Sequence, residues 1–163
     1  MTAWTEHLAR VGATLDETAR SVAFATPADE ARATETATIA VPLLHLGTIR
    51  SQGPDSAAFL HNLVSNDVKH MEADTAAWNS FNSPKGRMIA SFLVWTEEGG
   101  HALALSADIL PAFLKKFSMY VLRSKVKLAD ASAEVALIGL AGPQAVAIAQ
   151  AAGAALPAED MRQ

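Results

Sequence analysis

Apolar and polar positions along residues 78–95 predict a β-hairpin. Residues 83–86 have the composition of a tight turn, with Pro84 at the second position and Gly86 free to adopt a positive φ. After the turn, residues 88–95 are mostly apolar at both odd and even positions. Since successive side chains of a strand point to opposite faces, we expect this strand to be central in its sheet and covered on both faces.

The rest of the chain alternates between amphipathic helices and short strands. Helical spacing of apolar residues predicts helices at residues 4–15, from 54, from 108 and at 144–152. Apolar runs predict further strands at residues 41–50, 101–106, 123–130 and 134–140. In residues 123–130, cations alternate with apolar residues, so this strand would carry a basic edge. The order of elements favours a mixed α+β fold with a mainly antiparallel sheet and packed helices.

The composition changes near residue 39. Residues 16–38 are rich in Ala, Thr and Glu and contain Pro27, which favours irregular structure. We therefore expect residues 1–38 to form an N-terminal helix and an irregular lead-in. Residues 39–155 would form the domain, and residues 156–163 a tail.

The overall composition excludes several classes of protein. Half of the 163 residues are apolar, which suits one ordinary domain with a real core. No apolar run reaches the roughly 20 residues that span a bilayer, and the N-terminus lacks a signal pattern, so we expect a cytoplasmic protein. There is no cysteine, and no two of the five histidines lie three or four residues apart. We therefore expect no metal site within this chain.

The net charge of −4 hides a basic segment. Residues 85–127 hold seven basic and three acidic residues, a local charge of +4, whereas the remaining residues carry −8. A positive segment in an acidic protein favours an anionic ligand over general nucleic-acid binding. The alternative is that these cations are ordinary solvated surface residues.

No familiar catalytic motif accompanies this charge. The chain has no GxSxG elbow, no phosphate-binding glycine loop and no paired carboxylates outside solvated loops, so we predict no catalytic residue. Asn66 and Asp67 follow the helix that begins near residue 54. Either they cap turns, with Asn66 in the left-handed conformation, or they contact a ligand.

Five stretches, taken in order, resemble the YgfZ family of folate-binding proteins, relatives of the glycine-cleavage T-protein. They are the Gly-Pro-Asp start of a helix, FLHNLVSNDV, SPKGRMIASFLVW, YVLRSKVKL and IGLAGPQA, and they cover about residues 39–150. The resemblance implies a T-protein N-terminal-type domain with ferredoxin-like elements. It also implies that the full-length protein binds tetrahydrofolate and supports iron–sulfur cluster assembly or maintenance and, through it, tRNA modification.

Two departures from the wider family bear on catalysis. The paired aspartates of the aminomethyltransferase relatives align with Ala90 and Ser91, which cannot act as carboxylates. The cysteine motif of YgfZ proteins belongs to the second half of the family's chain, so the resemblance implies that this is an N-terminal half. A folate-dependent aminomethyl transferase and an RNA- or protein-docking module remain alternatives.

The resemblance also implies ligand-binding roles for several polar residues. Folate ends in glutamate carboxylates, which need cations, and its pterin needs hydrogen-bonding partners. The cations are Lys85, Arg87, Arg123 and Lys125. The pterin candidates are Asn66, Asp67 and Asn82. Iron–sulfur proteins would be client partners, and direct binding to nucleic acid or a membrane is not expected.

Overall fold

A computed structural model describes residues 2–16, 18, 20–73 and 75–154 of the chain. Within these residues the fold is mixed α+β with antiparallel strand pairs, as the sequence predicted. The helices are α1 (Ala3–Arg10), α2 (Pro27–Thr36), α3 (Ser56–His61), α4 (Leu110–Ser118) and α5 (Ala145–Ala151). The strands are β1 (Thr14–Asp16), β2 (Ser21–Ala23), β3 (Ile39–Pro42), β4 (Leu46–Gln52), β5 (Ala76–Asn82), β6 (Met88–Glu97), β7 (Gly100–Ser106), β8 (Lys127–Asp130) and β9 (Ile138–Ala141). None of the described helices is long and apolar enough to cross a membrane.

The chain folds as two compact units. Residues Leu46–Ser132 form one, here called the central unit, and the described residues before Leu46 and after Ser132 form the flanking unit. The predicted boundaries at 1–38 and 39–155 stay predictions, and the predicted tail at 156–163 lies outside the described residues.

The central unit is built on a five-stranded antiparallel sheet in the order β5-β6-β7-β4-β8. The predicted hairpin is confirmed as β5 and β6, and β6 pairs with both β5 and β7. Phe92 and Val94 on one face of β6 are buried, but Ser91 on the other face is exposed and Leu93 is half-buried. The expectation that both faces of β6 are fully covered is therefore wrong.

The core lies between the inner face of this sheet and helices α3 and α4. Phe117 of α4 is completely buried, and its ring lies 5.2 Å from that of Phe59 in α3 and 5.3 Å from that of Phe81 in β5. The Phe117 ring also stacks on Phe113, one helical turn earlier, at 4.9 Å. The predicted spacing of Phe113 and Phe117 therefore gives one aromatic face, which fixes α4 on the sheet.

The hairpin contains one irregularity close to its turn. Phe81 pairs with Ala90, but the next residue, Asn82, pairs with Met88, so Ile89 is skipped. Beyond this bulge, Gly86 adopts φ +75°. Its backbone N–H donates to the carbonyl of residue 83 at 2.9 Å, which closes the predicted turn.

The flanking unit differs from the sequence expectations in its first part. The irregular lead-in predicted for residues 16–38 contains strand β2 and helix α2 instead. Pro27 lies in the first turn of α2, where its missing N–H costs nothing, and the Thr26 hydroxyl accepts from the backbone N–H of Asp29 at 3.3 Å. The prediction that Pro27 favours irregular structure is wrong, because a proline in the first turn starts a helix instead of interrupting one.

Two predicted strands also differ from the structure. Residues 41–50 are not one strand, because β3 pairs with β9 whereas β4 belongs to the five-stranded sheet. The strand predicted at residues 134–140 is limited to β9, and it is not buried: Ile138 is 49% and Leu140 38% exposed.

Candidate functional site

The basic segment after α4 forms a loop where a strand was predicted. Strand β8 begins only at Lys127, so the predicted alternation of Arg123 and Lys125 along a strand edge is wrong. The backbone N–H of Lys125 instead donates to the carboxylate of Asp55 at 2.6 Å, at the start of α3. Gly53 has φ +130°, and a Cβ there would overlap the carbonyl oxygen of Lys125. The loop is therefore held against the turn that precedes α3.

An open depression of about 720 Å³ lies beside this contact. Its lining residues are Asp55, Tyr120, Leu122, Arg123 and Ser124. The Tyr120 ring packs edge-on against Phe81 at 5.5 Å, which connects the depression to the core. Leu122 is 88% exposed and has φ +44°, a left-handed conformation that is rare for leucine. Tyr120 and Leu122 were not predicted as site residues, because apolar residues were considered only as parts of the core.

The hairpin and its edge strand hold a second group of predicted site residues. Lys85 and Arg87 are exposed in the hairpin turn, and Asn82 is exposed at the end of β5. The Asn82 side-chain amide donates to the Ser80 hydroxyl at 3.2 Å. The backbone N–H of Ser80 in turn donates to the Ser65 hydroxyl at 2.9 Å, so the chain around residues 65–66 lies along β5.

Asn66 is tied to β5 by two hydrogen bonds. Its backbone N–H donates to the side-chain oxygen of Asn79 at 2.8 Å, and its side-chain amide donates to the carbonyl of Trp78. Among the described residues, positive φ in non-glycine residues occurs at Arg20 and Leu122, not at Asn66. The predicted left-handed cap at Asn66 is therefore wrong, because its side chain bonds to a neighbouring strand.

Asp67 caps the following turn, as the capping alternative predicted. Its carboxylate accepts from the backbone N–H of His70 at 3.1 Å and from Nδ1 of the same residue at 2.6 Å. Nδ1 of His61 lies 3.1 Å from the carboxylate, at an ion-pair distance. The side-chain hydrogen bond from His70, followed by the backbone one, lowers the pKa of Asp67. The described residues contain no set of three or more His, Asp or Glu side chains arranged to hold a metal ion.

A buried polar cluster joins α3 to the sheet. The Ser56 hydroxyl donates to the carbonyl of Ser51 at 2.7 Å, and it also contacts the Ser51 hydroxyl at 2.8 Å and Nδ1 of His101 at 2.9 Å. Since the single Ser56 hydrogen is used, its oxygen accepts from Nδ1–H of His101. Burial lowers the pKa of His101. All three residues are buried, so we assign the cluster a structural role: it attaches α3 to the sheet and is not a catalytic site. Sequence reasoning missed it because the residues lie far apart in the chain.

The structure thus brings the predicted site residues together in two places. Arg123 and Lys125 lie at the depression or beside it, whereas Lys85, Arg87 and Asn82 lie at the hairpin turn. The contact between Tyr120 and Phe81, the neighbour of Asn82, joins the two places through the core. The ligand roles of all these residues stay predictions.

Comparisons with known proteins agree with this fold. Residues 3–162 match the family model described as the GCVT N-terminal domain. An iron-sulfur cluster assembly factor IBA57 homolog of Mycosarcoma maydis is 35% identical over 55% of this chain and 26% of its own length. The tRNA-modifying protein YgfZ of Vibrio vulnificus is 30% identical over 66% of this chain and 33% of its own length. An aminomethyltransferase of Shouchella clausii is 29% identical over 65% of this chain and 29% of its own length.

A solved structure is similar over almost the whole chain. The glycine cleavage system aminomethyltransferase T from Bartonella henselae superposes with a TM-score of 0.71, covering 97% of this chain and 44% of that protein, at 18% identity. At this identity the likeness shows the fold alone. The matches cover a third or less of the length of the three curated relatives. On the match of residues 3–162, the chain belongs to the GCVT N-terminal domain family and is a YgfZ-like member of that superfamily.

Proposed function

We propose that this chain is the folate-binding domain of a YgfZ-type factor. The complete factor would bind tetrahydrofolate and support iron–sulfur cluster assembly or maintenance and, through it, tRNA modification. The names of two relatives, a cluster assembly factor and a tRNA-modifying protein, support this role, while other relatives are named aminomethyltransferases. The clients would be iron–sulfur proteins, and the protein would act in the cytoplasm.

The observation that carries the proposal is the chemistry of β6 at Ala90 and Ser91. Ala90 is 3% exposed and pairs with Phe81 inside the aromatic core, where an ionised carboxylate would carry a large desolvation cost. Ser91 points to the opposite face and is exposed. Neither position offers the carboxylate that the resemblance places in the aminomethyltransferases. Binding without aminomethyl transfer is therefore the function that these residues favour.

The cations around the depression and the hairpin turn suit the tail of folate. A polyglutamate tail carries several carboxylates, and a guanidinium such as that of Arg123 binds a carboxylate through two parallel hydrogen bonds. Tyr120 would offer an aromatic surface beside Arg123 in the depression. Asp67 is the weakest pterin candidate, because both of its oxygens already contact His70. Asn82 and Asn66 remain candidates for the pterin edge.

Calorimetry on the full-length protein tests this proposal. We expect tetrahydrofolate to bind, and we expect Lys85→Ala with Arg123→Ala to weaken a polyglutamated folate about tenfold or more, as for lost charge-assisted hydrogen bonds. The monoglutamate should lose much less, since it presents fewer carboxylates. Lys69→Ala, an exposed cation outside the predicted set, is the matched control. Equal losses for both ligands would refute the role of the cations, and absence of binding would refute folate as the cofactor.

A folate-dependent aminomethyl transferase is the second candidate, because relatives of that name match the same residues. An assay of aminomethyl transfer to tetrahydrofolate by the full-length protein separates the two. Turnover would overturn the proposed binding role, and folate binding without turnover would support it.

A further inference from the structure

Exposed apolar side chains follow the end of α4, where solvent would favour polar residues. Met119 is 72%, Tyr120 39% and Leu122 88% exposed. They lie in successive tight turns: the backbone N–H of Met119 donates to the carbonyl of Lys116 at 3.2 Å, and that of Tyr120 to the carbonyl of Phe117 at 3.1 Å. The chain therefore presents them close together, on a segment that is hydrogen-bonded rather than loose.

Leu122 also has an unfavourable backbone conformation. At φ +44° its Cβ is crowded, and glycine or asparagine would fit this position with less strain. A large apolar side chain that is both strained and exposed does not contribute to folding. Such residues are concentrated where a protein binds something.

The same segment is strongly basic. Between Ile109 and Ala129 there is no acidic residue. The basic residues there are Lys115, Lys116, Arg123, Lys125 and Lys127, and all are exposed. Asp55, the acid that lines the depression, already accepts the backbone N–H of Lys125. We call these five cations with Met119, Tyr120 and Leu122 the basic-apolar surface.

We propose that the basic-apolar surface binds an acidic segment of a partner protein, with one apolar side chain of that segment seated against Leu122 and Tyr120. Complementary charge supplies the choice of partner: residues 109–129 carry five cations and no acid, so they attract carboxylates, and the exposed apolar residues need an apolar anchor. A depression of about 720 Å³ is large enough for one anchoring side chain and its neighbours. This goes beyond the proposed function, because it requires no folate, although the surface shares Arg123, Lys125 and Tyr120 with the candidate site of the folate tail.

The rest of the protein favours a short acidic segment over an extended anionic surface. This chain carries a net charge of −4, so a nucleic acid or an anionic membrane covering much of its surface would meet net repulsion. A short segment senses charges within about 8–10 Å, one screening length at physiological salt. Arg123 and Lys125 lie at or beside the depression with one acid, Asp55, so the charge there is positive.

A fluorescently labelled peptide of Glu and Asp residues around one central Phe is the probe, titrated against the full-length protein without folate. We expect saturable binding that weakens as salt is raised. A peptide with Ser in place of Phe and a peptide with Lys in place of the acids are the controls, and both should bind more weakly. Transfer RNA and phosphatidylserine vesicles are tested as competitors.

Two variants test the surface without disturbing the fold. Leu122→Gly removes the apolar side chain and relieves the backbone strain, and we expect it to weaken the peptide about fivefold to tenfold. Lys115→Gln with Lys116→Gln should weaken it by a similar factor of about five to ten and reduce the salt dependence. Met88→Ser, at a residue 65% exposed, and Lys69→Gln are the matched controls elsewhere in the central unit. None of these positions is in the predicted folate set.

The outcomes separate this inference from the proposed function. Peptide binding that both test variants weaken and both controls preserve would support the inference. Equal binding by all variants, or no peptide binding at all, would overturn it, whatever the folate titration shows. Tighter binding of transfer RNA or vesicles than of the peptide, lost in the same variants, would overturn the choice of partner.

Discussion

The central unit has a core of fully buried large apolar residues, whereas the large apolar residues described in the flanking unit are mostly exposed or half-buried. In the central unit Ile49, Leu103 and Phe117 are completely buried between the five-stranded sheet and its helices. In the flanking unit the strand residue Ile138 is 49% exposed and the helical residue Val146 is 61% exposed, although Leu8 is buried. Two-stranded sheets such as β1-β2 and β3-β9 are marginal structures without packing on their faces. The comparison indicates that most of the stabilising burial lies in the central unit.

Truncating the aromatic core should have the largest effect. We expect Phe117→Ala to lower the free energy of unfolding by about 3–5 kcal/mol, because it removes a fully buried ring and leaves a cavity. Ile138→Ala in the flanking unit should cost less than about 1 kcal/mol, because its side chain is already half exposed. Urea denaturation of both variants measures the two losses. Equal decreases in the free energy of unfolding would contradict the inference that most of the stabilising burial lies in the central unit.

Substituting glycines of positive φ should have a smaller, graded effect. Gly53→Ala in the central unit combines backbone strain with overlap against the carbonyl of Lys125, so we expect a loss of about 2 kcal/mol or more. Gly12→Ala in the flanking unit has φ +97° but open space around its Cβ, and should cost only about 1 kcal/mol of strain.

Thermal denaturation of the two glycine variants, with Gly86→Ala as a second open position, measures this difference. If Gly12→Ala lowered the melting temperature as much as Gly53→Ala, the contact between Gly53 and Lys125 would not be part of the stable core. It would also remove the physical basis for holding the basic loop against α3.

The pH dependence of the buried cluster should be the smallest effect. Folded His101 holds its proton less tightly than unfolded His101, whose ordinary pKa is 6.5, because burial lowers the folded pKa. Unfolding therefore takes up a proton between the two values, and the free energy of unfolding falls as the pH drops from about 7 through this window. His101→Asn, whose amide can donate to Ser56, should reduce this dependence. Urea titrations at several pH values measure it, with Ser51→Ala as the control that retains the histidine; an unchanged slope in His101→Asn would contradict the assignment.

Elements of the central unit were predicted correctly where the spacing of apolar residues and a turn or helix signal pointed to the same structure. The hairpin of β5 and β6 has a proline–glycine turn between apolar runs, and α4 has phenylalanines four residues apart, so both were predicted correctly. In the flanking unit no such combination of signals is present. Helix α2 has no buried residue, so its sequence has no apolar stripe that would predict a helix. Its one sequence signal is the helix start at Thr26 and Pro27, and a proline within a polar stretch equally indicates irregular structure.

The candidate site was less predictable than the fold, because contacts between residues far apart in the chain determine its conformation. The alternating cations at residues 123–127 have the period of a strand, but the carboxylate of Asp55 binds the backbone N–H of Lys125 from seventy positions earlier in the chain. Ser51, Ser56 and His101 likewise come together only through strand pairing and helix packing. The conformation of Leu122 has no local sequence signal, since leucine is a poor residue for positive φ.

The unpaired residue Ile89, opposite the step from Phe81 to Asn82, sets the direction of the hairpin turn relative to the sheet. A strand changes sides with every residue, so a relative that lost or gained this single step would present the turn's two cations to the other side of the sheet. The pairing of Phe81 with Ala90, and the core behind it, would stay as they are. Evolution can therefore redirect this loop toward a new ligand without rebuilding the part of the protein that supports it.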